Sequence, residues 1–307
     1  MYRQLSLQLS TVLILLWPHV ALSADNFNLS EVAPGVFVHF GKHEEANGQN
    51  LGDIANIGFI VGSESIAVID AGGSVEIGRR LRESIGRHSF LPIRYLIISH
   101  IHPDHTLGSP AFAEDQPEII GHFRLPQAIT QRGEFYIDRF KGILGDHNVT
   151  TILSPNQLVE SEMKIDLGNR ILLIKAHQTA HTDNDLSIYD ENTKSLWLAD
   201  LLFLDRTPAI DGSTIGWINT LKSLQKVSAN VVIPGHGDIV ENWPEGSNKI
   251  LGYFVDLVNW VRNLIQNGES MASATRLSES AEAGDWLLFD DYHPRNVVKT
   301  FAELEWE

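Results

Sequence analysis

Three histidines and an aspartate fall within six positions of the stretch SHIHPDHTLG, residues 99–108. Imidazole nitrogens and carboxylate oxygens are ligands for zinc, iron or manganese. The chain has no cysteine, which excludes disulfides, thiolate zinc sites and Fe–S clusters. His100 and His102 are two apart, and alternate residues of an extended segment point the same way. Pro103 then bends the chain. Asp104 and His105 follow at the start of a helix, where free backbone N–H groups favour a carboxylate. The segment thus presents two histidines on one side and an Asp–His pair on the other, an arrangement suited to two neighbouring cations. Near neutral pH the imidazoles are free to coordinate.

The elements around the motif set its position. RYLIIS (94–99) is a nearly continuous apolar run and reads as a buried strand that delivers the motif at its C-terminal end. GVFVHF (35–40), IGFIVG (57–62) and SIAVID (65–70) read as strands, the last two joined as a hairpin across Ser63 and Glu64. A long polar loop, 41–56, separates the first two, and a loop of that length is expected to be functional. Helical spacing of Ile77, Leu81 and Ile85 predicts a helix over 75–88. A strand at 117–122 and a helix over 123–144 follow. The second half repeats this grammar, with strands at 169–176, 186–190, 194–200 and 230–237 and a helix over 214–227. A further helix is expected over 244–267, with a tail containing DWLLFDDYHPRN (285–296) after it. Two β-rich halves closed by helices imply one domain with two facing sheets.

The formal net charge is −16 across 307 residues, a balance that argues against a nucleic-acid partner. At the N-terminus Arg3 precedes the apolar run 11–17, and Ala21-Leu22-Ser23 offers small residues at a cleavage site. Residues 1–23 are therefore expected to be a secretory signal peptide, too short in its apolar run to span a bilayer. No other segment reads as transmembrane, so no membrane span is expected after signal cleavage.

The run His100-Ile101-His102-Pro103-Asp104-His105 resembles the HxHxDH signature of the metallo-β-lactamase superfamily. Asp70 in VIDAGG, His181 in AHTDND, Asp200 in LWLADLLF and His236 in IPGHG resemble its remaining site residues in the same order, over roughly 30–245. The resemblance implies an α+β fold, the αββα sandwich, over 24–245. A C-terminal helical extension, 246–307, would pack on the same domain. It implies two Zn2+ (or iron or manganese), one held by His100, His102 and His181, the other by Asp104, His105 and His236, with Asp200 bridging. Asp70 would orient the ligands by hydrogen bonds. His177, four residues before His181, is the rival for the third ligand. Ala180 and Ala199 stand where the family commonly has Gly. His102 stands where diiron oxidoreductases of the superfamily have Glu, and Asp200 where true β-lactamases have Cys or Ser, which argues against lactam hydrolysis. Such a site acidifies water to a pKa of roughly 7 for attack on an electrophilic centre. Asp104 would be the catalytic group that orients the nucleophile and takes its proton.

Longer stretches, among them GDIANIGFIVG, TAHTDNDL, PAIDGSTIGW and LLFDDYHPRNVVKTFAELEWE, are similar to the exported zinc metallohydrolases associated with quinoprotein oxidation systems, the SoxH-like group. This implies a periplasmic enzyme beside PQQ-dependent dehydrogenases and cytochromes. The expected activity is hydrolysis of an ester-, thioester-, lactone- or amide-like small molecule. A mononuclear iron persulfide dioxygenase-like enzyme and a non-catalytic maturation partner of a quinoprotein are the alternatives. For substrate contacts the sequence offers His43, with Glu44 and Asn50, in the long loop. Arg206 and Asp211 follow the bridging aspartate, and His293 and Arg295 lie in the tail. Asp183 and Asp185 are either supports of the metal shell or caps. His39, His88, His122 and His147 lack ligand spacing and read as structural.

Overall fold

The computed structural model describes residues 27–307; the expected leader lies outside them. Seven strands form the first sheet, paired in chain order: β1 (Ser30–Ala33), β2 (Val36–His39), β3 (Ile57–Val61), β4 (Ile66–Ile69), β5 (Ile93–Ile98), β6 (Glu118–His122) and β7 (Gln157–Val159). The first four pair antiparallel and the rest parallel. The second sheet contains β8 (Glu162–Asp166), β9 (Ile171–Ala176), β10 (Leu186–Asp190), β11 (Ser195–Phe203) and β12 (Val231–His236), again neighbours in order. Only β11 and β12 run parallel. The helices are α1 (Val75–His88), α2 (Pro103–Thr106), α3 (Leu125–Leu144), α4 (Thr214–Leu224), α5 (Asn248–Gln266), α6 (Met271–Ser278) and α7 (Phe289–Leu304). None is long and apolar enough to cross a membrane.

Strand alternation builds the layers. On β5, Tyr95 and Ile97 face the second sheet, where they join Leu172, Ile174, Ile188, Trp197 and Ile233. Leu96 and Ile98 face the other way and pack with Ile77, Leu81 and Ile85 of α1. Both faces are covered, hence the unbroken apolar run in the sequence. Each fully buried Leu or Ile contributes roughly 2 kcal/mol. Helix α1 begins where Ser74 Oγ accepts from the Ile77 N–H, and Arg87 and His88 in its last turn complement the helix dipole. On the outer face of the second sheet, Leu196 and Leu198 of β11 pack with Trp217, Phe254, Val297 and Phe301. Helices α4, α5 and α7 thus complete the αββα arrangement that the resemblance implies.

Three features depart from the sequence reading. Strands β1, β7 and β8 are short edge or near-edge pieces without an apolar run long enough to mark them. The tail at 285–296, given no start of its own in the sequence, enters α7 at Phe289, within the expected helical extension and despite Pro294. Strand β11 continues through Asp200 to Phe203, so Asp200 lies inside a strand rather than at its end. Its pairing with β12 is irregular around Ala199, whose φ is +45°. That left-handed backbone favours glycine, which explains why Gly is the residue the resemblance expects there.

Candidate metal centre

The C-terminal ends of β5 and β12, helix α2, the kink in β11 and the loop carrying His181 meet at one edge of the sandwich. His100, His102, His181 and Asp200 offer ligand atoms within 4.8 Å of one another, and so do Asp104, His105 and His236. The Asp200 carboxylate stands between the two groups. Its Oδ2 is 3.2 Å from His181 Nε2, 3.7 Å from His100 Nε2 and 3.4 Å from His236 Nε2, and its Oδ1 is 3.0 Å from His105 Nε2. Asp104 Oδ2 lies 3.5 Å from His236 Nε2. His181, not His177, reaches the cluster; His177 Nε2 meets Ser187 Oγ at 2.7 Å instead.

Each ring is oriented from behind. His181 Nδ1–H donates to the Ala209 carbonyl at 2.8 Å, and His236 Nδ1–H to the Ile54 carbonyl at 2.7 Å. His105 Nδ1 is 2.8 Å from Asp70 Oδ2. Asp70 also accepts from the Ser99 N–H and hydroxyl, and Ser99 Oγ faces His100 Nδ1 at 3.0 Å. Asp70 therefore orients two imidazoles, one directly and one through Ser99, from a backbone with φ +58°. These contacts fix the tautomers and aim four Nε2 lone pairs at the centre. His102 is reversed: its Nε2 faces Asp211 Oδ2 at 3.2 Å, and its Nδ1 faces inward. Asp211 also pairs with Arg132 of α3.

Three polar atoms inside the cluster lack hydrogen-bond partners. His100 Nε2, His105 Nε2 and Asp200 Oδ1 are buried without a hydrogen bond. Burial, reinforced by the neighbouring His105, pushes the His100 imidazole well below its ordinary pKa. Burial also opposes charge on His105, but the carboxylates of Asp200, Asp70 and Asp104 outweigh it and hold that ring well above the ordinary value. Burial would raise the Asp200 carboxyl, yet His105, His236 and His100 hold it well below. Convergent, unpartnered nitrogen and oxygen donors of this kind fit a cation in each group, and the donor set suits zinc, iron or manganese.

The metallo-beta-lactamase superfamily model matches residues 51–236, from the long loop to the last clustered histidine. The chain belongs to this superfamily. Among curated proteins it is 27% identical to the 2,4-dinitroanisole O-demethylase subunit alpha of Nocardioides sp. (strain JS1661), covering 58% of this chain and 51% of that protein. It is 23% identical to the linear primary-alkylsulfatase of Pseudomonas sp. (strain ATCC 19151), covering 58% of this chain and 40% of that one. The chain thus spans about half or less of these relatives' length. Similar solved structures include a metallo-beta-lactamase from Pontibacter korlensis (TM-score 0.60, 16% identity, 74% of this chain and 98% of that one). Another is the stereoselective inverting sec-alkylsulfatase of Pseudomonas sp. (TM-score 0.64, 19% identity, 90% of this chain and 50% of that one). At these identities the structures show a shared fold.

Like the fold's two clusters, the superfamily member's cavity lies at the sheet edge. It measures about 250 Å³ and opens onto His102, Asp104, Asp200 and His236. Of the expected substrate contacts, Arg206 and Arg295 line it. His43 does not, although its loop contributes Glu45, Ala46 and Ile54. Asn50 organises that loop, accepting from the Asn47 and Gly52 N–H groups, while its Nδ2 donates to Glu44. His293 turns away: its ring stacks on Phe289 at 4.3 Å and its Nδ1 faces the Tyr253 hydroxyl at 3.0 Å. Asp185 closes the turn at Thr182, and Asp183 lies near Arg132, so both act outside the ligand set. His39 pairs with Asp53 at 2.6 Å and stacks on Phe27, as a structural residue should.

Sequence reasoning missed Tyr292 and the α3 side chains Phe135, Tyr136 and Arg139, which also line the cavity. A helical reading of the tail would have found Tyr292. At helical spacing 292 and 295 share one face, whereas 293, 296, 297 and 300 form the buried face. Phe135 left a different signal, as a large apolar side chain 60% exposed on an otherwise polar helix face.

Proposed function

We propose that this protein is an exported hydrolase that holds two zinc ions and cleaves an ester-, thioester-, lactone- or amide-like bond in a small molecule. We place it in the periplasm beside a quinoprotein oxidation system, in the SoxH-like group. The observation that carries the catalytic reading is the Asp200 carboxylate standing between two histidine groups at the floor of an open cavity. The export and quinoprotein readings rest on the N-terminal sequence and on the similar long stretches.

Cations in the two groups would supply Lewis acidity and a nucleophilic water near neutral pH. The protein supplies the rest. Asp104, at the cavity floor, orients the nucleophile and accepts its proton. The hydrogen bonds that the imidazoles make to Asp70, Ser99, Ala209 and Ile54 hold them in one geometry, so little reorganisation accompanies reaction. Phe135, Phe140 and Phe203 give the cavity apolar walls that limit water. Among the described residues no Ser lines it, so a covalent serine route has no nucleophile.

The test is metal analysis followed by a substrate panel of thioesters, lactones, lactams, phosphoesters and alkyl sulfates on zinc-loaded protein, with His100→Ala as the blank. The alkyl sulfate arm is included because one relative is named an alkylsulfatase. Uptake of about two zinc per chain, with turnover lost in His100→Ala, supports the reading. A single iron per chain overturns it in favour of a mononuclear oxygenase. Release of the protein by osmotic shock, with an N-terminus at residue 24, tests the export proposal.

A further inference from the structure

The metal groups account for one side of the cavity, and the other side is cationic. Arg206 is only 3% exposed, and its Nε–H has no acceptor. Its Nη2 donates to the Tyr292 hydroxyl at 2.6 Å and stands 3.4 Å from Glu45 Oε1. Glu45 is half-exposed and therefore a weak counter-charge for a buried guanidinium. Arg139 and Arg295 line the same cavity. Among the described residues neither has a carboxylate in ion-pair reach. Arg206 and Arg295 both lie within cation–π range of the Tyr292 ring, at 5.1 and 5.5 Å. Three guanidiniums thus converge on one small cavity in a chain whose net charge is −16. The Phe135, Phe140 and Phe203 walls lower the local dielectric and strengthen any charge pairing between them.

We infer that the substrate is a small organic acid, with an apolar body and an anionic oxygen group, carboxylate or sulfo, remote from the cleaved bond and held by Arg206 and Arg295. Planar bidentate donors match such a group. A volume of 250 Å³ is below the usual range of ligand cavities, so the body must be compact. The cleaved bond rests on the hydrolase reading above; the anion site does not.

Calorimetry on the zinc-loaded full chain separates the two. Glutarate and pentanoate share one carboxylate and a chain length, and differ in the second carboxylate. Glutarate should bind about tenfold more tightly than pentanoate, the scale of one charged hydrogen-bonded contact. Arg295→Met, an exposed position with little risk to folding, should cut that preference to about threefold or less, and Arg295→Lys should keep part of it. Arg206→Met is the second variant. Equal binding of both acids by the parent, or a preference that survives in both Met variants, overturns the inference. Turnover of mono(4-nitrophenyl) glutarate over 4-nitrophenyl pentanoate then reports on the reaction. A glutarate preference without turnover sinks the hydrolase reading and leaves the anion site standing. Turnover of 4-nitrophenyl sulfate with no glutarate preference puts the anion at the metals and overturns the remote site.

Discussion

His181 Nε2 and His102 Nδ1 face each other across 2.8 Å. The other nitrogen of each ring is committed as a donor, to the Ala209 carbonyl and to Asp211. In two neutral rings the facing atoms are therefore both lone pairs, and the contact is repulsive until a cation or proton enters. Chelation of metal should lower the melting temperature, and zinc should restore it. At a hundred to a thousand times the dissociation constant the gain is about 3–4 kcal/mol. His102→Ala removes both a ligand and the repulsion, so its chelator response should be smaller. Identical melting with and without chelator would count against a metal in this group.

Asn296 links helix α7 to the same histidine. Its Oδ1 accepts from the Ile210 N–H at 3.0 Å, and its Nδ2 donates to the Pro208 carbonyl at 2.7 Å. These two residues flank Ala209, whose carbonyl orients His181. Asn296→Ala should destabilise the fold by about 1–3 kcal/mol through the buried groups it strands. It should also weaken metal retention about tenfold, as loss of an outer-shell support does. Competition with a chromophoric chelator measures the second effect. A variant that is less stable yet holds metal as tightly as the parent would reduce Asn296 to a packing role.

The clustered ligands are legible from the dense 100–105 run, from the apolar strands that carry Asp200 and His236, and, for His181 in its loop, from the resemblance alone. The two sheets were legible from β5, whose faces are both buried, and from β9 to β12, which alternate or run apolar. The C-terminal segment is legible as a helical extension, but the start of α7 and its faces are not. Pro294 and the polar DDYHPRN run hide α7, and a helix without a sequence-visible boundary gives no face assignment. Hence the sequence groups His293 with Arg295, although they project from different faces of α7. Asp211 shows another limit. Its bond to His102 joins positions 109 residues apart, and nothing local marks it.

Gly235 sits against the kink that carries Asp200. A Cβ there would lie 1.9 Å from Asp200 Oδ1 and 2.7 Å from the Ala199 carbonyl carbon. Gly235→Ala must therefore separate β11 from β12 or turn the Asp200 carboxylate out of the cluster. Overpacking of this kind costs about 1–3 kcal/mol. Both groups share Asp200, so metal content should fall in both. Gly86→Ala in α1 is the control: nothing lies within 4 Å of its added carbon, and removing a helical glycine should stabilise by about 0.5–1 kcal/mol. Metal content and denaturation midpoints of the two variants give the comparison. Full metal loading in Gly235→Ala would show that Asp200 is not confined as described.

Acid sensitivity should come partly from histidines outside the metal groups. Burial lowers His122, His177 and His293 to about 4. In the unfolded chain these rings titrate near the ordinary value of 6.5. Below that pH the unfolded state binds more protons than the folded one, so stability is complete above 6.5 and drains away as pH falls through 4. His293 shows the physical cause. The Tyr253 hydroxyl accepts from Asn296 Nδ2 and donates to His293 Nδ1, which a protonated ring could no longer receive. His293→Gln keeps a polar partner and removes the titration. The denaturant midpoint of metal-free protein should drop less in this variant than in the parent between about pH 7 and about pH 4.5. Using metal-free protein removes the competing loss of ligand coordination in acid. Parallel declines in the two proteins would mean that His293 stays neutral in neither state or charges equally in both.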